Sequence, residues 1–258
     1  VTIHGYIKCD ACKDLFCKKD KDKHFEVWGE GEEIRLINNP AQWGANKPLY
    51  RLLGFSKGKT QNEAMVKSKA GMLAFEDVPF SGTIFRRRLN LLLNTLELKD
   101  KKIPIDTIFQ STEPNFQCSS LIKCSISALK DGKYSYKLAD IMNNDISSGG
   151  KVTEIMRRCT RQHLKDDVQG QSFILLGLDK KLIDSSKKIF EEIFGPLDSP
   201  KKKTCIYRTS MNSWVHVAHP SAKLTDPQYK DWCAGVNKTP KISWAYDELS
   251  NRKRVNLR

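Results

Sequence analysis

The chain has no apolar run approaching 18 residues and no long basic amphipathic helix with a lipid-facing stripe, so membrane insertion and surface anchoring are not expected. It also lacks internal repeats and extended low-complexity segments, which leaves one folded unit, residues 1–258, as the simplest organisation. The opening VTIHGYIKCDACKDLF carries no charged segment followed by an apolar core, the mark of a secretory signal, and this points to a reducing, cytoplasmic setting. The eight cysteines then read as free thiols or metal ligands rather than disulfides. Acidic residues are in short supply: 30 Asp and Glu face 44 Lys and Arg, a net charge of +14. Such an excess favours a polyanionic partner, nucleic acid first, because each neutralised phosphate releases condensed counterions.

What is present is a series of short apolar runs separated by helical patterns. LYRLLGF (49–55), CSSLIKCSI (118–126), SFILLGL (172–178) and WVHVAH (214–219) each have the length and composition of a strand buried on both faces. In TIFRRRLNLLLNTLEL (83–98), Ile84, Leu89, Leu92, Leu93 and Leu96 fall near one helical face, with Arg86, Arg87 and Asn90 toward another. KVTEIMRRCTRQHLKDD (151–167) and KKLIDSSKKIFEEIF (180–194) follow the same pattern, and Gly195-Pro196 stops the latter. Strands alternating with helices imply an α/β fold with a mainly parallel sheet, whose ligand crevice lies beyond the strand C-termini. The loops after these four runs would meet at one rim.

Gly58-Lys59-Thr60 has the ending of a phosphate-binding loop, but the spacing G-x-x-x-x-G-K-[ST] requires glycine at position 53, and Leu53 stands there. A nucleoside triphosphatase is excluded on that ground. Of five histidines, His4 and His24 lie near the variable N-terminus, and His163 on a helix and His216 within a strand read as structural, which leaves His219, at the end of an apolar run and before Pro220-Ser221.

Taken in order, GFSKG (54–58), PFSG (79–82), LIKC (121–124), Cys159 in MRRC, ILLGL (174–178) and AHPSAKL (218–224) resemble the motifs of the uracil-DNA glycosylase superfamily, most of all its iron–sulfur-bearing branch. The resemblance spans residues 9–232. It implies a three-layer α/β/α fold around a central, mostly parallel four-stranded sheet, and a monomeric DNA glycosylase that flips its target nucleotide out of the stack. By that likeness His219 faces the base as a donor to its leaving electrons, and Phe80 is the ring on which the base stacks. Gly54, Phe55 and Ser56 belong to the motif beside the base. Backbone amides of the 54–61 loop, with Lys57 and Lys59, would hold a phosphate; Pro220 and Ser221 would lie against another. Lys223 or Leu224 would enter the gap left by the flipped nucleotide. Arg86, Arg87 and Arg88 offer a further phosphate grip.

The same resemblance implies a [4Fe–4S] cluster on Cys9, Cys12, Cys124 and Cys159, since thiolates are its ligands; zinc on four thiolates, or no metal at all, are the alternatives. Cys124 and Cys159 stand farther apart than in the branch, and residues 127–150 are read as an insertion that loops out, behind an N-terminal cysteine-bearing segment of about 1–30. Cys118, Cys205 and Cys233 read as buried thiols.

Two departures bear on the substrate. The branch carries an acidic residue after its first glycine, and other branches place Asp or Asn one position later, where this chain has Phe55 and Ser56. Glu63 is the favoured substitute for activating water, with Asn62, Gln61 and Asp77 nearby. The branch reads uracil with an asparagine four residues before the Lys-Cys cysteine, and that position here is Ser120. A serine reaches less and leaves more room, so the expectation is a modified or non-standard base, such as a modified pyrimidine of phage DNA, rather than ordinary uracil. A repair glycosylase for uracil or deaminated bases, an inactive glycosylase-fold DNA binder, and a basic assembly protein are the competing readings.

Overall fold

The protein was analysed as a computed structural model that describes residues 4–21, 24–80, 82–165, 171–199, 204–220, 224–235 and 242–256. Its strands in chain order are β1 (Gly5–Tyr6), β2 (Lys19–Lys21), β3 (Glu26–Trp28), β4 (Ile34–Ile37), β5 (Ala41–Gly44), β6 (Tyr50–Gly54), β7 (Phe116–Ser120), β8 (Ser125–Lys130), β9 (Lys133–Ser135), β10 (Ser172–Leu176), β11 (Ile206–Arg208) and β12 (Ser213–Val217). The helices are α1 (Lys59–Lys69), α2 (Thr83–Thr95), α3 (Leu138–Ser147), α4 (Lys151–Leu164), α5 (Lys180–Phe194), α6 (Asp226–Cys233) and α7 (Ile242–Asn256). Among the described residues no helix is long and apolar enough to cross a membrane.

The four apolar runs do form the centre of the molecule. β7, β6, β10 and β12 lie side by side in that order, all parallel, and every residue of the four is buried. A strand covered on both faces has no solvent side, which is why these segments read as continuous apolar runs instead of alternating ones. Three antiparallel strands extend the expected four to seven: β5 and β1 beyond β7, and β11 beyond β12.

Right-handed crossovers sort the helices by direction. The chain passes from β6 to β7 through α1 and α2, returns across β6 to β10 through α4, and continues outward to β12 through α5. Opposite directions of travel place α2 on one face and α4 and α5 on the other; in agreement, α4 packs on α5 and α2 on α6. The direction of winding reverses between β6 and β10. A crevice at the C-terminal ends of those two strands follows from the topology alone.

The structure corrects three sequence expectations. Residues 118–126 are two strands, since a bend at 121–124 turns the chain: the Leu121 and Ile122 amides donate to the carbonyls of Gly54 (2.7 Å) and Phe55 (2.9 Å), and β8 departs into another sheet. The stretch 127–150 does not loop out. β8 and β9 form an antiparallel hairpin, β8 pairs with β4, and with β2 and β3 they make a five-stranded sheet that joins the N-terminal segment to the insertion. On α2 the apolar stripe runs through Leu89, Leu92, Leu93 and Leu96, while Ile84 is 58% exposed on its margin and Arg88 is buried. Phe85 takes the inward place in the first turn, packed against Phe80.

Gly44 ends β5 with φ of 89°, and a Cβ there would collide with the backbone carbonyls of Phe116 and Ile108. Neither oxygen belongs to a flexible side chain, so relief requires parting β5 from β7. Gly44→Ala is expected to lower unfolding stability by about 2 kcal/mol or more in urea melts; an unchanged midpoint would contradict this pairing.

Candidate functional site

The crevice is a cavity of about 740 Å³, within the range of small-ligand sites. Its floor is the switch point: Gly54, Phe55 and Ser56 leave β6, and Leu176 to Asp179 leave β10. The first turn of α1, from Gly58 to Gln61, forms one side. Phe80, Phe85 and His219 form the other, and Tyr136 to Ala139 close the outer wall.

Phe80 and His219 therefore open on one cavity. Phe80 holds a left-handed backbone with φ of 49°, a conformation that non-glycine residues adopt at a cost of about 1–2 kcal/mol. Such strain persists only where the surroundings impose it. Its ring lies flat on Phe85, with centroids 4.9 Å apart and planes within 4°. Phe85 in turn meets the His219 imidazole edge-on at 5.4 Å and 80°. Phe85 went unnoticed in the sequence because one phenylalanine in a helical pattern carries no signal of its own; its position one residue from exposed Ile84 was the only hint. Gly54 lies beneath the ring, where a Cβ would stand in ordinary contact, 3.5 Å from Phe80 and 3.8 Å from the Ser120 hydroxyl.

Burial pushes the His219 imidazole down to about 4, so it is neutral at pH 7 and its N–H acts as a hydrogen-bond donor without a full charge. The floor is held from behind. His216, also pushed down to about 4 by burial, places Nδ1 3.0 Å from the Gly177 carbonyl, and Nε2 lies 2.7 Å from the Tyr207 hydroxyl and 3.3 Å from Ser186. A carbonyl accepts only, so Nδ1 carries the proton and Nε2 receives one from Tyr207 or Ser186. The structural assignment of His216 stands.

Several sequence-proposed residues lie elsewhere. Glu63 is exposed on α1 outside the cavity, and Asn62 points away from it, its Oδ1 accepting from Asn39 (2.7 Å) and Ser125 (3.2 Å). Helical phase is the reason: Gln61 and Thr60 face the cavity, and the next two positions turn away from it. Ser120 is buried behind Gly54 and does not line the wall. Pro220 is buried, and Leu224 packs against the core instead of projecting; Ser221 and Lys223 lie outside the described residues. Lys59 is exposed at the rim. Arg86 is engaged by Asp106 and Arg88 by Asp226, while Arg87, 60% exposed, pairs with Asp226 at the surface. Among the described lining residues the single carboxylate is Asp179, which caps α5 by accepting from the Leu182 amide at 3.2 Å.

Lys57 requires the largest correction. It is fully buried, with Nζ donating to the Lys123 carbonyl, and it reaches no phosphate. Lys123 is buried beside it, donating to Ser119 Oγ at 2.6 Å and to Gln42 Oε1 at 3.5 Å. Burial pushes these ammonium groups down to about 8 and about 7, and the Cys124 and Cys159 thiolates oppose that fall at Lys57. No carboxylate pairs with either among the described residues. Around them Cys9, Cys12, Cys124 and Cys159 act on one another's ionisation: Cys12 donates to Cys159, which favours the Cys159 thiolate, while burial raises Cys9 and Cys124. Cys9 Sγ also lies 3.5 Å from His163 Nε2. Among the described residues no three His, Cys, Asp or Glu side chains are arranged to hold a single metal ion. The donor set nevertheless suits an anionic cluster, because four cysteine thiolates are the ligands such a cluster takes and the two buried lysines beside them would offset its charge. Cys118, Cys205 and Cys233 are buried, as expected.

No known family model matches the chain, and no curated protein matches it in sequence.

Proposed function

We propose that the protein is a DNA glycosylase of the uracil-DNA glycosylase type, with that fold, acting on a non-standard, bulkier pyrimidine. One observation carries the reading: at the switch point, a strained phenylalanine, a second ring stacked on it and a neutral histidine line the same cavity.

The chemistry follows from the residues. A nucleotide flipped from DNA brings its base against the Phe80–Phe85 pair. As the bond between C1′ and the base nitrogen breaks, its electron pair leaves on the base and positive charge builds on the sugar. The His219 N–H meets the growing negative charge, and a neutral donor in a dry site is worth about 3–4 kcal/mol to such a transition state. Asp179 supplies negative charge toward the sugar and orients the water whose oxygen joins C1′; the water proton passes to the carboxylate, and the departed base takes up a proton. Lys59 and Lys137 at the rim add attraction for the DNA backbone. Ser120, behind Gly54, does not reach the base edge, and Gln61 in the first turn of α1 is the lining amide that would read it. Cys9, Cys12, Cys124 and Cys159 would hold a [4Fe–4S] cluster. Hydrolysis moves no electrons, so the cluster's contribution is to tie the N-terminal segment, the 124 bend and α4 together.

Abasic-site formation on duplexes bearing uracil, hypoxanthine or modified cytosines tests the reading. Excision is expected from a modified pyrimidine, with His219→Ala losing about 10²–10³-fold in kcat. Asp179→Asn keeps the helix cap and is expected to lose at least about tenfold, whereas Glu63→Gln is expected to match the wild type. The pH profile is expected to show no inflection near 6.5, because His219 stays neutral until the pH falls toward 4. DNA binding without excision on any of these substrates would contradict the proposal.

Elemental analysis tests the cluster separately. Iron and acid-labile sulfide, with broad visible absorbance lost in Cys159→Ser, are expected; stoichiometric zinc, or no metal in protein purified without oxygen, would contradict it.

A further inference from the structure

We propose that Arg88 and Tyr229 are positioning residues that fix His219 by gripping the backbone on both sides of it. The histidine sits in a short exit from β12, between Ala218 and Pro220. Tyr229, on α6, donates its hydroxyl to the Ala218 carbonyl at 3.4 Å. Arg88, on α2, donates from Nη1 to the Pro220 carbonyl at 3.0 Å and from Nη2 to the Leu224 carbonyl at 2.6 Å. Its Nε donates to Asp226 Oδ1 at 2.8 Å, and its guanidinium lies 5.2 Å from the centre of the Tyr229 ring. The residue is 8% exposed, so this planar fork is spent on backbone acceptors and one carboxylate inside the protein.

The arrangement has a purpose beyond packing. Proline already restricts its own φ, and holding its carbonyl restrains its ψ, so the residue that follows His219 is restricted at both torsions. Fixing the Ala218 carbonyl does the same on the preceding side. Phe85 lies three residues before Arg88 on α2, so the two are neighbours on one helical face, and Phe85 is the ring that touches the imidazole. A single helix thus carries both the ring against His219 and the grip on its backbone, which sets the distance between imidazole and aromatic platform. A shift of α6 against α2 would therefore move the histidine relative to Phe85. Misplacement of a reacting group by about 1 Å can cost about 10²-fold in rate.

The inference rests on the glycosylase reading for its kinetic consequence, but the geometry can be tested without it. Arg88→Lys keeps a cation for Asp226 and cannot reach both carbonyls at once; Tyr229→Phe removes only the hydroxyl. With a DNA substrate that the wild type cleaves, Arg88→Lys is expected to lower kcat by about 10- to 100-fold with KM for DNA within about twofold. Tyr229→Phe is expected to cause a smaller loss of the same kind. In parallel, NMR of the free proteins is expected to show the His219 imidazole protons losing their ring-current shift from Phe85 in Arg88→Lys, at temperatures well below unfolding. Unchanged His219 signals in both folded variants would overturn the proposal, as would a loss of activity fully explained by a lower Tm with those signals intact. If the wild type excises no base, the glycosylase reading fails while the NMR comparison still decides the positioning role.

Discussion

The register of β6 between two parallel neighbours is the constraint on which the rest depends. Gly54 is opposite Ser120 on β7, and Leu53 is opposite Leu175 on β10. With the strand fixed there, the residues that follow must part: Ser56 faces the cavity, and Lys57 turns inward toward the thiols. A shift of one position would exchange these directions, placing an ammonium group in the cavity and a hydroxyl among the cysteines. The candidate active site and the cysteine cluster are therefore built back to back on a single turn of chain, and the burial of Lys57 couples them.

His219 is neutral because burial makes charging it unfavourable, and the same loss of water strengthens any hydrogen bond it makes to developing charge. Behind the floor, His216 holds the Gly177 carbonyl and Tyr207 and Ser186 hold His216, so the β10 exit is fixed by a satisfied polar chain within an apolar core. The α2 helix completes the frame from the other side through Phe85 and Arg88. The site is held by backbone contacts from three directions, and its only lining carboxylate among the described residues comes from a helix cap.

The four parallel strands and three long helices were legible because their patterns are strong: continuous apolar runs for strands covered on both faces, and 3.6-residue spacing for α2, α4 and α5. The second sheet was not. Its strands are three to six residues long, β2 is wholly exposed and polar, and β8 continues directly from an apolar run that belongs to the other sheet. Pairing between β4 and β8 joins residues about ninety positions apart, which no local pattern reveals. Within the site, His219, Phe80 and the Gly54–Ser56 motif were identified from order and residue type. Glu63, Asn62 and Lys57 were misplaced because loop direction and helical phase, not proximity in sequence, decide which side chains enter a cavity. Phe85 was missed for the opposite reason: it looked like an ordinary core residue.

The central claim is that the cavity between the Phe80–Phe85 rings and His219 receives a nucleotide drawn out of duplex DNA. A crystal structure of the protein with a duplex carrying one stable abasic-site analogue tests it most directly. The account expects the abasic sugar turned out of the helix at the cavity mouth, with C1′ toward Asp179 and the space above Phe80 left for a base. An intact, stacked duplex bound to another face, with the cavity turned away from the DNA, would contradict it.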